Sequence, residues 1–212
     1  MDHSDYSQTL LYFARFFALY IAVVPHEVAH GWAALKLGDP TAKSLGRLTL
    51  NPIPHIDFFM TILLPGMLAL SGSPVIFGGA KPVPVNPLYF KKPRQGMCLV
   101  AAAGPITNFL IALICFALLY TGIFSLQSEA ALVTIIVLFT NVVLGTFNLF
   151  PIPPLDGGRI AVGLLPKPVA RALARLEPYG FFIIFGLLAI GAFDAVIKEV
   201  LKATSWILSQ SI

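Results

Sequence analysis

The five residues from His26 to His30 read His-Glu-Val-Ala-His and carry the clearest chemical signal in the chain. On a helix, positions i and i+4 lie on one face, so both imidazoles can bind the same metal ion. Glu27 lies beside them and can act as a base. Such polar groups are costly inside hydrocarbon unless they have a function, and the apolar run that contains them begins near Ser7. The pattern therefore predicts a metal-dependent hydrolase whose active site lies within a membrane.

Asp156 is the strongest candidate for a third metal ligand, since a catalytic zinc usually has three protein ligands and one open position for water. It follows the proline-rich stretch 151–155, which interrupts an apolar segment, and it precedes Gly157 and Gly158, which leave room beside the carboxylate. From this motif alone, two interpretations of Asp156 stay open: a metal ligand, or a cap of the next helix. The histidine pair favours the first.

The composition indicates the class of protein that surrounds these residues. Of 212 residues, 57% are hydrophobic and 11% are charged, whereas a soluble domain has roughly 25% charged residues. We therefore expect an integral membrane protein in contact with the lipid bilayer. The polar stretches are too short for a separate domain, so residues 1–212 are interpreted as one membrane-embedded domain. Its catalytic core spans about 7–160, and a further C-terminal helix spans about 178–201.

Four segments reach the ~20 apolar residues that a membrane-spanning helix needs. They are residues 7–37, 95–120, 130–150 and 178–201. The sequence thus predicts an all-α polytopic membrane protein with about four main transmembrane helices.

Basic residues in the loops orient these helices and are too scattered to suggest a nucleic-acid partner. They are Lys36, Lys43, Arg47, Lys81, Lys91, Lys92, Arg94, Arg159, Lys167, Arg171 and Arg175. The positive-inside rule places these loops in the cytoplasm and residues 121–129, which lack Lys and Arg, outside. The N-terminus is then external and the metal site lies toward the cytoplasmic side. Lys198 and Lys202, near the outer end of the last helix, fit this orientation poorly.

Residues 56–77 lie between two basic loops, so they cross the membrane an even number of times. We expect a re-entrant segment that enters and returns; a short outward helix followed by a short return is the alternative. Residues 44–50 and 81–87 are predicted to be strands of a small sheet at the membrane surface. A free edge of that sheet can accept a peptide as an added strand.

Three motifs in order give the chain a specific resemblance to a known family. They are residues 26–30, the Gly-Pro-x-x-Asn element at 104–108 and the Asn-x-x-Pro-x-Pro-x-Leu-Asp-Gly element at 148–157. The stretches 46–52 and 80–87 are also similar to those of compact prokaryotic members. The chain resembles the site-2 proteases, the intramembrane zinc metalloproteases of peptidase family M50, in a form without a PDZ or CBS domain.

This resemblance implies one zinc ion per chain, bound by His26, His30 and Asp156. Glu27 would take a proton from the attacking water and later protonate the leaving amine. The implied reaction is hydrolysis of a peptide bond in or near the transmembrane segment of a single-pass membrane protein, in regulated intramembrane proteolysis. The implied location is the inner membrane of a prokaryotic cell.

The resemblance also implies four substrate-binding residues near the catalytic centre. They are Asn108, Asn148, Pro151 and Pro153. Prolines leave backbone carbonyls unpaired, and an Asn amide can bind a substrate backbone that has unwound from its helix. For Asn108, a hydrogen bond between helices is an equally open interpretation.

Three other functions are compatible with parts of the sequence. A different H-E-x-x-H protease class would take Glu129, Glu177 or Glu199 as the third ligand, and an Asp156→Ala variant with full zinc content would favour it. A membrane metal transporter would show internal repeats and several polar spans, and the sequence has neither. A catalytically silent protein that only binds membrane helices would not need the intact set of His26, Glu27, His30 and Asp156.

Overall fold

The computed structural model describes residues 7–63, 67, 70 and 79–211, and the regular structure of these residues is helical. The α-helices are α1 (Gln8–Lys36), α2 (Thr41–Ser44), α3 (Pro93–Tyr120), α4 (Glu129–Asn148), α5 (Asp156–Leu164), α6 (Lys167–Ala174), α7 (Gly180–Ala189) and α8 (Asp194–Ser211). Short 3-10 turns lie at Ile53–His55, Pro87–Tyr89 and Glu177–Tyr179, and a π-helical turn at Phe58–Leu63.

Four stretches are long and apolar enough to cross a membrane: α1, α3, α4 and the stretch Lys167–Ala189. This confirms the predicted number of spanning segments and the all-helical class. The predicted boundaries of the fourth are wrong, because the expected helix at 178–201 is interrupted. Gly191 has a left-handed φ of 69°, which ends α7, and Asp194 starts α8 after the turn. A left-handed residue cannot continue a right-handed helix.

The three helices α1, α3 and α4 pack against one another, and α5 packs against α3. Ala14, Ala18 and Ala22 are fully buried on α1, and they continue at four-residue spacing into His26 and His30. Because these residues share one face of the helix, the small side chains bring the neighbouring backbones close. The same stripe then presents the two imidazoles to α3.

The connection from α4 to α5 folds tightly back on itself because glycines line it. A side chain on Gly157 would collide with the backbone of Leu149, and one on Gly158 or Gly180 would collide with the backbone of Pro153. On its other side, α5 is fastened to α3 by Arg94, which donates to the carbonyl of Val162 at 2.8 Å. These contacts fix the position of the first residue of α5.

The predicted surface sheet is not found in the described residues. Residues 45–50 form turns and bends, and residues 81–86 are extended without strand pairing. Pro82 and Pro84 have no N–H, so one edge of this segment cannot pair. On the other edge, the N–H groups of Lys81 and Val83 donate to the His55 carbonyl and the Glu27 carboxylate instead of to a strand. The expected re-entrant segment at 56–77 lies largely outside the described residues, which include 56–63, 67 and 70 of it.

Single contacts hold residues 81–86 in place instead. Arg47 donates to the Lys81 carbonyl at 2.6 Å. Asp39, which is fully buried, accepts from the Asn86 N–H at 2.6 Å and from the N–H and hydroxyl of Thr41 at 2.9 and 2.5 Å. Burial alone would raise the pKa of the Asp39 carboxyl, but these hydrogen bonds outweigh it and hold the pKa below its ordinary value of 3.8.

We predict that Asp39→Ala destabilises the fold by about 1–3 kcal/mol, because the substitution leaves buried donors unpaired. Since the folded pKa is lowered, the stabilisation is complete above pH ~4 and is lost as the pH falls through the folded value. Thermal unfolding in detergent at several pH values measures the difference from wild type. Asp194→Ala, at an exposed ion pair with Lys198, is the control. An Asp39→Ala protein as stable as that control at neutral pH would contradict the prediction.

Candidate metal centre

Three side chains from two distant parts of the chain converge on one point. The Nε2 atoms of His26 and His30 are 3.0 Å apart, and Asp156 Oδ2 lies 3.1 Å from the first and 3.3 Å from the second. The three residues are buried, with 5%, 9% and 6% of their surface exposed. Asp156 is the first residue of α5, whereas Leu155 is the cap position. Its carboxylate points to the histidines.

The outer nitrogen of each imidazole identifies the tautomer. His26 Nδ1 lies 2.6 Å from Asn108 Oδ1, and His30 Nδ1 lies 2.7 Å from the carbonyl oxygen of Val100. Both partners are acceptors, so each Nδ1 carries the proton and donates it. Each neutral ring then presents an Nε2 lone pair to the other histidine and to the carboxylate.

Three lone-pair atoms facing one point repel one another unless a cation lies between them. Among the described residues, Asp156 Oδ2 is buried without a hydrogen-bond partner, as expected for a metal ligand. Zinc binds nitrogen and oxygen at about 2.0–2.2 Å, and tetrahedral ligands at that length are about 3.3–3.6 Å apart. The observed separations of 3.0–3.3 Å are close to that spacing. The donor set therefore fits Zn²⁺.

Gly104 allows α3 to approach this centre. A Cβ at this position would lie 2.5 Å from His30 Nε2 and 2.6 Å from His26 Nε2. Any side chain here would thus collide with the two nitrogens that face each other. The Gly-Pro-x-x-Asn element acts in this structure as one wall of the metal site.

Glu27 is partly buried beside the ligands on α1. Its Oε2 accepts a hydrogen bond from the backbone N–H of Val83 at 2.9 Å. Val83 also packs close to α1, because a Cβ on Gly31 would meet its side chain at 2.9 Å. Sequence reasoning missed this contact. The available signal was the alternation of Pro82 and Pro84, which leaves Val83 as the donor between them.

The four residues predicted to bind substrate occupy different environments. Asn108 is fully buried and makes hydrogen bonds between helices, which is one of the two alternatives left open above. Asn148 is partly buried, and its amide donates to the Leu144 carbonyl of its own helix at 3.1 Å. Pro151 is exposed, and Pro153 is fully buried in the tight connection before α5.

The glutamates of the competing protease class lie apart from the histidines. In the part of the chain that the structure describes, His26, His30 and Asp156 form the one group of three or more potential ligands close enough for a single ion. Glu177 pairs with Arg159 at 3.1 Å. Glu129 starts α4, and Glu199 lies in α8.

Comparison with known proteins identifies the family. The family model of peptidase family M50 matches residues 14–133 and 123–190. These matches extend from α1 to just beyond the end of α7 and contain His26, His30 and Asp156.

Three curated relatives are similar over most of this chain. Two carry the name "Putative zinc metalloprotease": YwhC of Bacillus subtilis (strain 168), 42% identical over 87% of this chain and 84% of its own length, and Rip2 of Mycolicibacterium smegmatis, 31% identical over 80% and 64%. Zinc metalloprotease MJ0392 of Methanocaldococcus jannaschii is 27% identical over 76% and 37%. No solved structure matches the chain at a significant level. With a family match over most of its length and a donor set that fits zinc, the chain belongs to peptidase family M50 and is a zinc metalloprotease.

Proposed function

We propose that this metalloprotease cleaves a peptide bond in or near the transmembrane segment of a single-pass membrane protein. The observation that supports this substrate is the location of the metal centre. His26 and His30 lie inside a candidate membrane-spanning helix, six to ten residues before its end at Lys36, which corresponds to roughly 9–15 Å along the helix axis. A site at that depth is accessible to a substrate segment in the same membrane.

When bound, zinc lowers the pKa of water toward ~7 and polarises the scissile carbonyl. Glu27 supplies the proton transfers. Glu27 Oε2 already accepts a hydrogen bond from the Val83 N–H. We therefore propose that Oε1 takes the proton from the attacking water and later delivers it to the leaving amine. The peptide bond is hydrolysed directly, and the substrate forms no covalent link to the protein. Asn148, which is partly buried, and Pro151, which is exposed, are candidates to hold the unwound substrate backbone.

An apolar groove of about 700 Å³ supports entry of a hydrophobic segment between α1 and α3. Val28 and Ala29, which line it, directly follow Glu27, and Ala103 directly precedes Gly104. Val28 and Ala29 lie on a different face of α1 from His26 and His30, and none of the three proposed ligands lines the groove. Its other lining residues are mainly apolar and include Pro25, Trp32, Leu50, Leu99 and Ile106.

We propose that the protein lies in the inner membrane of a prokaryotic cell, and the charge distribution supports an orientation there. The loops after α1, before α3 and after α4 contain most of the basic residues, whereas the loop between α3 and α4 contains none. We infer an external N-terminus and a metal centre on the cytoplasmic side. Cleavage there would release a cytoplasmic fragment of the substrate, as regulated intramembrane proteolysis requires.

We predict that Glu27→Gln keeps zinc and lowers cleavage by about 10²–10⁴-fold, because the amide cannot act as a base. The protein and this variant are co-expressed with tagged single-pass segments, and the product is followed by immunoblotting. Metal analysis of the purified proteins checks that both contain zinc. A transporter would lose little function in this variant, so zinc-loaded Glu27→Gln protein with wild-type cleavage would contradict the proposal.

The substrate class is tested by comparing tagged segments that span the membrane with the same residues in a soluble protein. We expect cleavage of single-pass segments that span the membrane, and none of the same residues fused to a soluble carrier. Equal cleavage of both would show that membrane insertion of the substrate is irrelevant, and would exclude the proposed intramembrane substrate.

We predict that Gly104→Ala abolishes zinc binding, because the added methyl group would lie 2.5–2.6 Å from both histidine Nε2 atoms. Gly186→Ala is the matched control: a Cβ at this position on α7 meets no atom within 4 Å. Zinc content of the purified proteins should be about one ion per chain in wild type and the control, and far lower in Gly104→Ala. Full zinc content in Gly104→Ala would place the ion elsewhere.

A further inference from the structure

Asn141 on α4 is a polar side chain with no exposed surface, and the mechanism above does not use it. Its Oδ1 accepts a hydrogen bond from Asn108 Nδ2 at 2.9 Å. Its own Nδ2 donates to the Val137 carbonyl of the preceding helical turn at 2.9 Å. Asn108 lies on α3 and also donates to the Ala22 carbonyl of α1 at 2.8 Å. The amides thus connect the three central helices.

These hydrogen bonds form a series from Val137 through Asn141 and Asn108 to His26. The backbone carbonyls of Val137 and Ala22 set the direction of every bond in the series. A backbone carbonyl can only accept, so Val137 requires the NH₂ group of Asn141 and turns the Asn141 oxygen toward Asn108. That oxygen and the Ala22 carbonyl together require both protons of the Asn108 NH₂ group. The Asn108 oxygen is therefore turned toward His26 Nδ1, 2.6 Å away.

We propose that Asn141 is a positioning residue of the zinc centre, acting through Asn108 to keep the proton of His26 on Nδ1. The inference rests on the assignment of His26 as a zinc ligand. With Asn141 absent, the NH₂ group of Asn108 keeps only one of its two acceptors, the Ala22 carbonyl, so the orientation that turns Oδ1 toward His26 is held by one hydrogen bond fewer. In the molecules in which the amide turns over, its NH₂ group faces Nδ1 and draws the ring proton to Nε2, where it blocks metal binding. Metal ligands must present a deprotonated nitrogen.

Thr140 provides a matched control for Asn141. It is the preceding residue on the same helix, and its hydroxyl donates to the Ile136 carbonyl at 2.7 Å. Thr140→Val therefore removes a polar group of α4 that bonds only its own helix in the described structure. Asn141→Leu removes both amide functions at similar volume. Asn141→Asp, when protonated, keeps an oxygen that accepts from Asn108 and a hydroxyl that donates to Val137.

The test measures the zinc dissociation constant of each purified protein by competition with a chelator. Outer-shell partners of metal ligands are typically worth 10–100-fold in metal affinity, so we expect about 10-fold weaker binding for Asn141→Leu. Asn141→Asp should bind within about threefold of wild type, since it restores both hydrogen bonds, and Thr140→Val within about twofold. The visible spectrum of the Co²⁺-loaded protein should change in Asn141→Leu and not in Thr140→Val.

Asn141→Ser keeps the test decisive if Asn141→Leu does not fold. Its hydroxyl bonds the preceding turn but is too short to reach Asn108, so the same 10-fold loss is expected. The inference is overturned if Asn141→Ser, and Asn141→Leu where it folds, bind zinc as tightly as Thr140→Val with an unchanged Co²⁺ spectrum. If the wild-type protein itself does not bind zinc, the zinc centre and the proposed function are both contradicted. If wild type binds zinc and cleaves substrate, the variants decide on Asn141 alone.

Discussion

Mutual repulsion among three lone pairs is the constraint on which the rest of this structure depends. Two imidazole nitrogens and one carboxylate oxygen lie 3.0–3.3 Å apart inside the protein, and only a cation makes this arrangement favourable. Neighbouring residues hold these three atoms in position. Val100 and Asn108 keep protons off the facing nitrogens, and the glycines after Asp156 let the carboxylate reach a helix more than a hundred residues earlier in the chain.

A second requirement is that the backbones of α1 and α3 approach each other closely, although these helices have few polar side chains. Ala14, Ala18 and Ala22 on α1 and Gly104 on α3 leave so little side-chain volume that the ligands can share one ion. Between the helices, the polar groups satisfy one another: Asn108 and Asn141 each donate to a backbone carbonyl, and Asn108 also donates to the side-chain oxygen of Asn141. An unpaired amide here would be costly, because no water replaces a missing partner in an apolar interior.

Sequence reasoning recovered what has a strong local signal. The His26–His30 pattern and long apolar runs identify a metal site and its membrane setting, and Asp156 stands out because acids are rare in such runs. Other features depend on contacts between distant residues. The break near Gly191 follows from one left-handed residue in an otherwise apolar run. Val83 binds Glu27 through a backbone N–H; the flanking prolines mark Val83 as a free donor, but nothing in the sequence identifies Glu27 as its partner. Residues 44–50 alternate like a strand, but Gly46 turns there with a φ of 65°.

The line of residues 14, 18, 22, 26 and 30 along α1 has a mechanical consequence. Because the ligands and the smallest packing residues occupy the same face, a rotation of α1 by one residue position, about 100°, would withdraw both imidazoles and insert bulkier neighbours against α3. A slide by one turn would exchange a histidine for an alanine. Helix α1 therefore has to keep its position relative to α3, and an opening for the proposed substrate would have to come from movement of other elements.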